Sequence, residues 1–468
     1  YGGRVEAFKL HAKATPGKTI SYMDVCSLYP FVNKYAKYPV GHPKVLCGDQ
    51  CPTGEKLLNM EGVAKVTILP PTNLYLPVLP YRVHGRLLFP LCCECATLLQ
   101  SSPCTHTPKQ RQITGTYVID EIRKAVEKGY EIVQVHEVWQ YNVIQYNREK
   151  GEKGLFSEYV NMFLQVKQEA SGWPKWCITD AQKEEYIEKY FQHEGIRLRK
   201  ENIRPNAGKR SVSKQCLNSL WGKFCQNEDK MQTSLIREPN ELYEKVTAPG
   251  IYINNLMFVD QHSVWLNWRY HEEAIVPNNR VNVIVGVYTT TFARLRLYEL
   301  LDAVGEEAIY TDTDSLIFYQ TDEVANKIGK GDYLGDLTDE LEEFGPGAYI
   351  DEFVSGGPKN YSYRVFSPHN NSFHDVCKVK GLTLDFENTK RVNFDTMKSL
   401  ISNIRDRSVC DDADNNDDPI TVVYPNKITR KRRLDIVSER LEKKYEVVFK
   451  KRNLHRETLN SYPFGFHT

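Results

Sequence analysis

The spacing of apolar and polar positions along this 468-residue chain predicts a mixture of strands and helices. Short runs rich in β-branched and aromatic residues predict strands at Thr19 to Val25, Ala308 to Tyr310, Leu316 to Tyr319 and Tyr361 to Phe366. Apolar positions at helical spacing predict helices at Ile119 to Lys128, Glu158 to Ala170, Val287 to Ala303 and Phe394 to Ile404.

Two β-rich regions interrupt this series. Between about Lys37 and Tyr141, short β-like runs at Val63 to Leu69 and Leu74 to Leu79 are broken by prolines and cysteines, which suggests an inserted module. A second β-rich excursion runs from Gln226 to about Asn282. The stretch between them, Ser157 to Gln226, is helical and highly charged, and we expect it to project from the main body.

The composition is that of a folded chain with a sizeable core, since 41% of the residues are hydrophobic, 11% aromatic and 26% charged. It excludes disorder as the main state, and the length allows about three domains, which favours an enzyme. No window approaches the ~18 apolar residues of a membrane span, so we expect no membrane partner and an intracellular location, nuclear or cytoplasmic. Because the chain starts at Tyr1 without Met or a signal sequence, we expect a fragment of a longer protein.

Charge is strongly segregated, although 61 Lys+Arg and 60 Asp+Glu residues nearly cancel. Leu301 to Glu352 holds fifteen acidic and two basic residues, net −13, whereas Ile420 to Arg456 holds twelve basic and four acidic residues, net +8. The first stretch could hold cations and the second phosphates, or both could be solvated faces. Within the second, Arg430 to Arg433 and Lys450 to Arg452 suit duplex phosphates, and the former also fits a nuclear-localisation signal.

The twelve cysteines are too sparse for a disulfide-stapled scaffold, so we expect mostly reduced thiols. Three of them cluster with one histidine. Cys92, Cys95, Cys104 and His106 supply enough nitrogen and sulfur ligands for tetrahedral zinc. The alternative is a compact loop of reduced thiols, with Cys93 a spare thiol in either case.

Carboxylates from two distant places could form one metal site. Asp24 lies at the end of a predicted strand, and Asp312 and Asp314 occupy a predicted hairpin turn nearly 290 residues later. If the strands lie side by side in one sheet, these carboxylates and the carbonyl of Val25 form a hard-oxygen site suited to Mg²⁺. Two such ions would activate an attacking hydroxyl and stabilise a leaving pyrophosphate. Taken alone, Asp-Thr-Asp is better explained as a turn selected for its Asx chemistry.

A candidate cationic stripe lies on the helical segment before the second β-rich region. Arg210 and Lys214 are four positions apart and therefore share one helix face. That face could neutralise a triphosphate, while Trp221 with the small Ser219 and Gly222 leaves room for a base pair. The alternative is an ordinary solvated helix face.

Together and in this order, three motifs resemble the A, B and C motifs of family B DNA polymerases. They are Asp24 to Pro30 (DVCSLYP), Lys214 to Gly222 (KQCLNSLWG) and Tyr310 to Ser315 (YTDTDS). Cys26 and Trp221 stand where that family more often has a polar residue and a Tyr, and neither difference removes a needed functional group.

Three shorter segments extend this resemblance from Tyr1 to about Leu384. Tyr1 to Arg4 resembles the Tyr-x-Gly-Gly junction between the exonuclease and polymerase halves. Lys359-Asn360-Tyr361 is similar to the Lys-x-Tyr motif that contacts primer and template, and Lys380-Gly381 resembles the thumb-proximal lysine site.

The gaps between the motifs are similar to those of the protein-primed branch, which carries an insertion in each. Some 190 positions separate Asp24 from Lys214, and 88 separate Trp221 from Ile309. That branch includes viral, organellar-plasmid and Polinton/Maverick transposon polymerases. The block Val63 to Leu79 points most to the transposon group.

The resemblance implies a right-hand α+β fold with palm, fingers, thumb and two insertions. The implied domains are 1–36 for the palm with motif A, 37–150 for the inserted module, 151–225 for the fingers with motif B, 226–282 for the second insertion, 283–384 for the palm with motif C and Lys-x-Tyr, and 385–468 for the thumb and basic region.

The resemblance also implies residue roles. Asp24, Asp312 and Asp314 would be catalytic, with Asp24, Val25 and Asp314 as metal ligands. The implied nucleotide-binding residues are Tyr29 beneath the sugar, Arg210 and Lys214 at the triphosphate, and Asn218 and Trp221 at the nascent pair. The implied DNA-binding residues are Ser27, Lys359, Tyr361 and Lys380. Two Mg²⁺ ions, replaceable by Mn²⁺, are the implied cofactors, and primer–template DNA, dNTPs and a terminal protein primer are the implied partners.

The predicted function is therefore template-directed transfer of dNMP to a 3′-hydroxyl. A reverse transcriptase or RNA polymerase also uses an acidic hairpin, but Asn218-Ser219 in motif B argues against both. A catalytically inactive, transposon-derived nucleic-acid-binding relic is the other alternative, and the intact carboxylates argue against it. The Asp-x-Glu triplet Asp385 to Glu387 follows the hairpin acids, in the wrong order for an exonuclease, so we expect no proofreading. The polar loop Asp411 to Asp418 has no assigned chemistry.

Overall fold

The computed structural model describes residues 1–275, 280–406, 419–431 and 436–467. The predicted polar loop Asp411 to Asp418, and Arg432 and Arg433 of the predicted basic run, lie outside these residues. The chain divides into two compact units. The first comprises Tyr1–Asn218, Val287–Val423 and Glu442–Thr468, and the second comprises Ser219–Gly286 and Tyr424–Leu441.

Helices and strands alternate irregularly along the described residues. The α-helices are α1 Leu28–Tyr35, α2 Glu55–Leu58, α3 Cys93–Leu98, α4 Pro108–Arg111, α5 Ile119–Glu127, α6 Ser157–Glu169, α7 Asp180–Glu194, α8 Ala207–Phe224, α9 Pro239–Thr247, α10 Val283–Val304, α11 Asp322–Ala325, α12 Phe386–Thr389 and α13 Phe394–Asp406. The strands are β1 Val5–Ala7, β2 His11–Lys13, β3 Thr19–Val25, β4 Tyr38–Cys47, β5 Gly62–Leu69, β6 Tyr81–Val83, β7 Arg86–Leu88, β8 Ile113–Val118, β9 Glu131–Ile144, β10 Gln232–Ile236, β11 Ile251–Asp260, β12 Ser263–Tyr270, β13 Ala308–Asp312, β14 Ser315–Gln320, β15 Leu337–Asp339, β16 Tyr349–Gly357, β17 Asn360–Ser367, β18 Ser372–Val379, β19 Ile420–Arg430, β20 Ile436–Tyr445, β21 Asn453–His455 and β22 Asn460–Tyr462.

A nine-stranded antiparallel sheet is the centre of the first unit. Its order is β1-β13-β14-β3-β16-β17-β18, with β15 also paired to β3 and β2 to β16. Alternation along β3 sends Ile20 and Tyr22 into one buried cluster and Met23 and Val25 into another. The sheet is therefore buried on both faces, and Asp24 lies on the face of Tyr22.

The predicted inserted module contains its own antiparallel sheet, in the order β4-β9-β5-β8. Its strand β5, Gly62–Leu69, confirms the predicted run at Val63 to Leu69. The predicted β-like run Leu74 to Leu79 is wrong, because this segment forms no strand. Prolines at positions 70, 71, 77 and 80 remove the backbone donors that a strand ladder requires.

The second unit holds a three-stranded antiparallel sheet, β10-β12-β11. Ile236, Leu266 and Trp268 form its small buried core. The sheet agrees with the β-rich excursion predicted between Gln226 and Asn282. No helix among the described residues is long and apolar enough to cross a membrane.

A hairpin of β21 and β22 packs against the first strand of the main sheet. The Ser461 amide donates to the Phe8 carbonyl at 2.7 Å, and the Leu10 amide donates to the Leu459 carbonyl at 2.8 Å. Just before the hairpin, Arg452 is buried beside Glu6. Two segments far apart in the sequence thus support β1 together.

Candidate active site

Strand pairing brings the three predicted catalytic carboxylates to one edge of the main sheet. Asp24 is opposite Ser315 in the β14–β3 pair, and Ser315 is opposite Asp312 in the β13–β14 hairpin. The Val25 amide donates to the Asp314 carbonyl at 2.8 Å. The sequence prediction that these acids converge on neighbouring strands is thus confirmed, while the metal-ligand role of the Val25 carbonyl stays a prediction.

The hairpin tip has a tightly constrained backbone. Thr313 adopts a positive φ of 63°, and the Asp314 amide donates to the Asp312 carbonyl at 2.7 Å. The Thr313 amide donates to the Arg4 carbonyl at 2.7 Å, and a methyl group at Gly3 would come within 2.9 Å of the Thr313 side chain. The N-terminal Gly-Gly-Arg segment therefore packs directly against the tip.

The carboxylates repel one another in a half-buried setting. Burial, followed by the charges of Asp314 and Glu340, raises the pKa of Asp24 from 3.8 to about 7. Burial and then Asp312 raise the pKa of Asp314. The excess of negative charge at this edge favours a bound cation or a proton.

Three lysines partly balance this charge. Lys359 Nζ lies 3.0 Å from Asp312 Oδ1, and Lys214 and Lys378 both act to lower the pKa of Asp24. Lys359 has a positive φ of 60°, and its amide donates to the Tyr310 hydroxyl at 2.8 Å. These contacts fix the turn that carries Lys359 against the strand that carries Asp312.

Tyr29 lies near the carboxylates, as predicted from its position in the first motif. It is the second residue of α1, whose first turn begins at Ser27 with a positive φ of 55°. Burial, followed by the charge of Asp314, raises the pKa of Tyr29 to about 12. The half-buried hydroxyl is therefore close enough to Asp314 for that charge to act on it, and it stays protonated at neutral pH.

The predicted nucleotide-binding residues of α8 are divided between the two compact units. Arg210, Lys214 and Asn218 are exposed and belong to the first unit, whereas Trp221 belongs to the second. Lys214 is close enough to Asp24 to affect its pKa, and Arg210 Nε donates to the Ser171 hydroxyl at 3.1 Å. The roles of Asn218 and Trp221 stay predictions.

The predicted DNA-binding residues differ in exposure. Lys359 and Lys380 are exposed, and the Lys380 amide donates to the Lys359 carbonyl at 2.8 Å. Tyr361 is only 5% exposed and packs on Tyr310 with ring centroids 4.7 Å apart, so it is a core residue here. The predicted DNA contacts of these residues stay predictions. Ser27 accepts a hydrogen bond from Lys167 Nζ at 3.3 Å.

A basic cleft lies beside Lys380. Gly356, Asn360, Gly381 and Tyr445 line it together with the exposed Lys380, Lys443 and Lys444. Lys443 Nζ donates to the Gly381 carbonyl at 2.6 Å. The cleft thus lies where strands β17 and β18 approach the basic C-terminal region of the first unit.

Sequence reasoning missed Glu340, Lys378 and Lys167. Glu340 follows the strand β15, whose Thr338 pairs with Asp24, and its charge raises the pKa of both Asp24 and Asp314. Lys378 lies 5.5 Å above the Tyr22 ring. The sheet order reveals Glu340 and Lys378, and the contact of helix α6 with Ser27 reveals Lys167. The acidic stretch Leu301 to Glu352 already indicated that more than three acids could gather.

The predicted zinc ligands also converge. Cys92, Cys95, Cys104 and His106 place one ligand atom each within 4.8 Å of every other. The three sulfurs are buried, and Cys92 immediately precedes α3. The structure therefore brings together all four predicted residues.

The family model described as DNA polymerase type B, organellar and viral, matches residues 1–304. Because this match spans more than half of the chain, the chain belongs to the organellar and viral type B DNA polymerases. The identification from the three motifs is thereby confirmed. The narrower transposon grouping stays a prediction.

Curated relatives are DNA polymerases of fungi. A probable DNA polymerase of Neurospora intermedia is 24% identical over 398 residues, which cover 81% of this chain and 32% of that protein. A probable DNA polymerase of Podospora anserina is 23% identical over 434 residues, covering 84% and 28%. A DNA polymerase of Kluyveromyces lactis is 29% identical over 219 residues, covering 43% and 20%. This chain spans at most a third of the length of these relatives.

Solved structures of phi29 DNA polymerase share the fold. Its complex with primer-template DNA has a TM-score of 0.57 at 16% identity, covering 95% of this chain and 60% of that chain. Its complex with primer-template DNA and incoming nucleotides has a TM-score of 0.56 at 16% identity, covering 95% and 61%. The predicted α+β right-hand polymerase fold is confirmed.

Proposed function

We propose that this chain is the polymerising part of a DNA polymerase, which adds dNMP from dNTPs to the 3′-hydroxyl of a primer paired to a template. The observation that carries this proposal is the convergence of Asp24, Asp312 and Asp314 on adjoining strands. Family membership supplies the reaction class, and the carboxylate edge supplies the chemistry that the reaction needs.

Family B DNA polymerases generally use divalent metal ions, and the residues at this edge fit such ions. Asp24 and Asp314 offer hard oxygen donors, and the raised pKa of both shows that their charge is incompletely balanced. We propose Mg²⁺ as the ion, with Mn²⁺ able to substitute. When bound, two such ions lower the barrier by activating the primer hydroxyl and stabilising the departing pyrophosphate.

The remaining side chains would orient the substrates. Lys214 and Arg210, exposed on one face of α8, would bind the triphosphate. Tyr29 would lie beneath the sugar, and Lys359, held near Asp312, would contact the DNA strand close to the primer terminus. The phi29 DNA polymerase complex contains primer-template DNA and incoming nucleotides, which supports these two partners.

A terminal protein as primer is part of the proposal. Its support is membership in the organellar and viral branch, together with a separate four-stranded sheet after the first motif and a three-stranded sheet after the second. A primer protein would present a side-chain hydroxyl where the 3′-hydroxyl of a DNA primer otherwise lies; that hydroxyl would accept the first dNMP as pyrophosphate leaves, and the 3′-hydroxyl of the attached nucleotide would then be extended. The zinc ion proposed at Cys92, Cys95, Cys104 and His106 takes no part in the transfer reaction.

Primer extension with carboxylate variants tests the proposal. Asp24→Asn and Asp314→Asn should each lower extension by at least about a thousandfold, because each removes a charged oxygen ligand of the proposed metal ions. Binding of primer–template DNA, measured by fluorescence anisotropy, should stay largely intact. The exposed Asp322→Asn, from the same acidic stretch, is the matched control and should extend normally.

The outcomes separate the alternatives. Extension by Asp24→Asn within tenfold of the unsubstituted chain contradicts the assignment. DNA binding without extension by the unsubstituted chain would indicate a nucleic-acid-binding relic. Preferential use of rNTPs would indicate an RNA polymerase, and preference for an RNA template a reverse transcriptase.

A further inference from the structure

The thiol cluster of the inserted module has the geometry of a closed metal site. His106 Nδ1 lies 3.5 Å from the Cys92 sulfur, 3.2 Å from the Cys95 sulfur and 3.6 Å from the Cys104 sulfur. A tetrahedron with Zn–S bonds of ~2.3 Å and a Zn–N bond of ~2.0 Å has sulfur–nitrogen edges of about 3.5 Å. The observed separations therefore match the edges of a zinc tetrahedron.

Hydrogen bonding among neutral groups explains this arrangement poorly. A neutral ring nitrogen has one lone pair and a protonated one has a single hydrogen, so three sulfurs cannot all be bonded to one Nδ1 atom. A cation at the centre contacts all four atoms at once. Three soft sulfur ligands and one imidazole nitrogen are a donor set that Zn²⁺ takes in structural sites.

Residues 463–467, here called the anchor segment, pack directly on the turn that carries these ligands. The Leu91 amide donates to the Phe464 carbonyl at 2.8 Å. Phe464, 4% exposed, belongs to the same buried cluster as Cys92, Cys95 and Cys104. This contact covers the sulfurs on one side.

Two further contacts hold the anchor segment. A methyl group at Gly465 would overlap the Cys92 Cβ atom, so the two backbones are in close contact. The His467 amide donates to the Thr72 carbonyl at 2.8 Å, within the inserted module. The anchor segment therefore joins the inserted module to the β21–β22 hairpin that supports β1.

We propose that Cys92, Cys95, Cys104 and His106 bind one structural Zn²⁺ ion, and that this ion clasps the anchor segment onto the inserted module. The four protein ligands fill the tetrahedron, so the ion has no open position for substrate. It fixes the loop from Cys92 to His106, and the fixed loop provides the surface on which Phe464 is buried. Without the ion, both the loop and the anchor segment lose their ordered contact.

Metal content tests the site itself. Protein purified without chelator should contain one zinc per chain, and replacement by Co²⁺ should give the visible absorption of a tetrahedral thiolate complex. Cys95→Ser and Cys104→Ser should lose the ion, whereas Cys93→Ser, whose sulfur bonds to the Tyr81 hydroxyl, should keep it. Absence of stoichiometric zinc in the unsubstituted chain, or zinc retained by both ligand variants, overturns the site.

Hydrogen exchange tests separately whether the bound zinc holds the anchor segment on the inserted module, an effect here called the clasp. Removing zinc with a selective chelator should raise amide exchange at least tenfold in peptides covering Leu91 and residues 459–467. Peptides from β16 and β17 should keep their protection. Bound zinc with no change in exchange at residues 459–467 overturns the clasp but leaves the metal site standing.

A reciprocal measurement uses the anchor segment to perturb the ion, because coupling between two sites acts in both directions. Phe464→Ala removes the buried ring of the segment, replaces no ligand and adds no atom near one, and should speed zinc loss to a competing chelator at least fivefold. Phe386→Ala is the matched control, since it is the same substitution at a phenylalanine that is 78% exposed. Equal rates of zinc loss in the two variants contradict the clasp.

Discussion

Tyr29 is the side chain whose position bears most directly on substrate choice. It follows the strand that carries Asp24, and its half-buried ring bears a hydroxyl whose pKa is raised by burial and by the nearby charge of Asp314. If the sugar of the incoming nucleotide lies above that ring, its C2′ atom contacts ring carbons, and a 2′-hydroxyl would find no hydrogen-bonding partner there. The proposed polymerase should therefore exclude ribonucleotides by shape.

Tyr29→Val tests this exclusion. Removing the ring opens space for the 2′-hydroxyl, so ribonucleotide incorporation should rise while dNTP use falls much less. Steric exclusion of this kind supplies up to roughly three decades of discrimination, at about 1.4 kcal/mol per tenfold. The measurement is the ratio of kcat/KM for rNTP and dNTP on a fixed primer–template.

A second variant separates the ring from its hydroxyl. Tyr29→Phe keeps the ring and should keep the discrimination close to that of the unsubstituted chain. If Tyr29→Val changes the ratio less than about threefold, which is within ~0.65 kcal/mol, the ring does not select the sugar.

The strand β1 is held by a buried ion triad that joins both ends of the chain. Glu6 Oε2 lies 2.6 Å from Arg4 NH2, and Glu6 Oε1 lies 3.7 Å from Arg452 NH1. Burial alone would raise the pKa of Glu6, but the two guanidinium groups hold it below its usual value. Because Val5 pairs with Asp312, the triad adjoins β13, the strand that leads into the acidic hairpin.

Glu6→Gln should destabilise the first unit strongly. It leaves two buried arginines without a counter-charge, a change that typically costs about 3 to 5 kcal/mol, or a fall in melting temperature of roughly 5 °C. Because the pKa of Glu6 is lowered by folding, its contribution is complete above the unfolded value of 4.5 and is lost as pH falls through the lower folded value. Glu158→Gln, at an exposed pair with Lys153, is the control and should melt normally. Equal melting temperatures for the two variants at pH 7 would contradict the structural role of the triad.

At the scale of elements, the sequence predicts those strands and turns that are encoded by a few neighbouring residues. Strands β3, β13 and β14 followed from short apolar runs, and the acidic turn between the last two followed from its Asp residues. The run Leu74 to Leu79 has the apolar content of a strand, but Pro77 within it and Pro80 after it prevent strand pairing. The triad had no local signal, since Glu6 and Arg452 are brought together only by the hairpin that packs on β1.

At the scale of the whole molecule, the acidic stretch and the basic stretch of the sequence contribute to two different sites. The acidic stretch Leu301 to Glu352 contributes Asp312, Asp314 and Glu340 to the carboxylate edge. Part of the basic stretch lines the cleft beside Lys380. Near-zero net charge thus conceals an edge suited to metal ions and a cleft suited to phosphates.

The salt dependence of DNA binding tests the role of that cleft. Each phosphate neutralised by a lysine releases condensed counterions, so the logarithm of the binding constant falls with the logarithm of salt concentration by about 0.9 per contact. The double variant Lys380→Gln and Lys444→Gln should therefore bind duplex primer–template more weakly at low salt, with a slope about 1.8 less negative. Lys150→Gln with Lys153→Gln, two exposed lysines of a distant turn, is the control and should leave affinity and slope unchanged. A cleft double variant with weaker affinity but an unaltered slope would mean that these lysines shape the cleft without contacting phosphates.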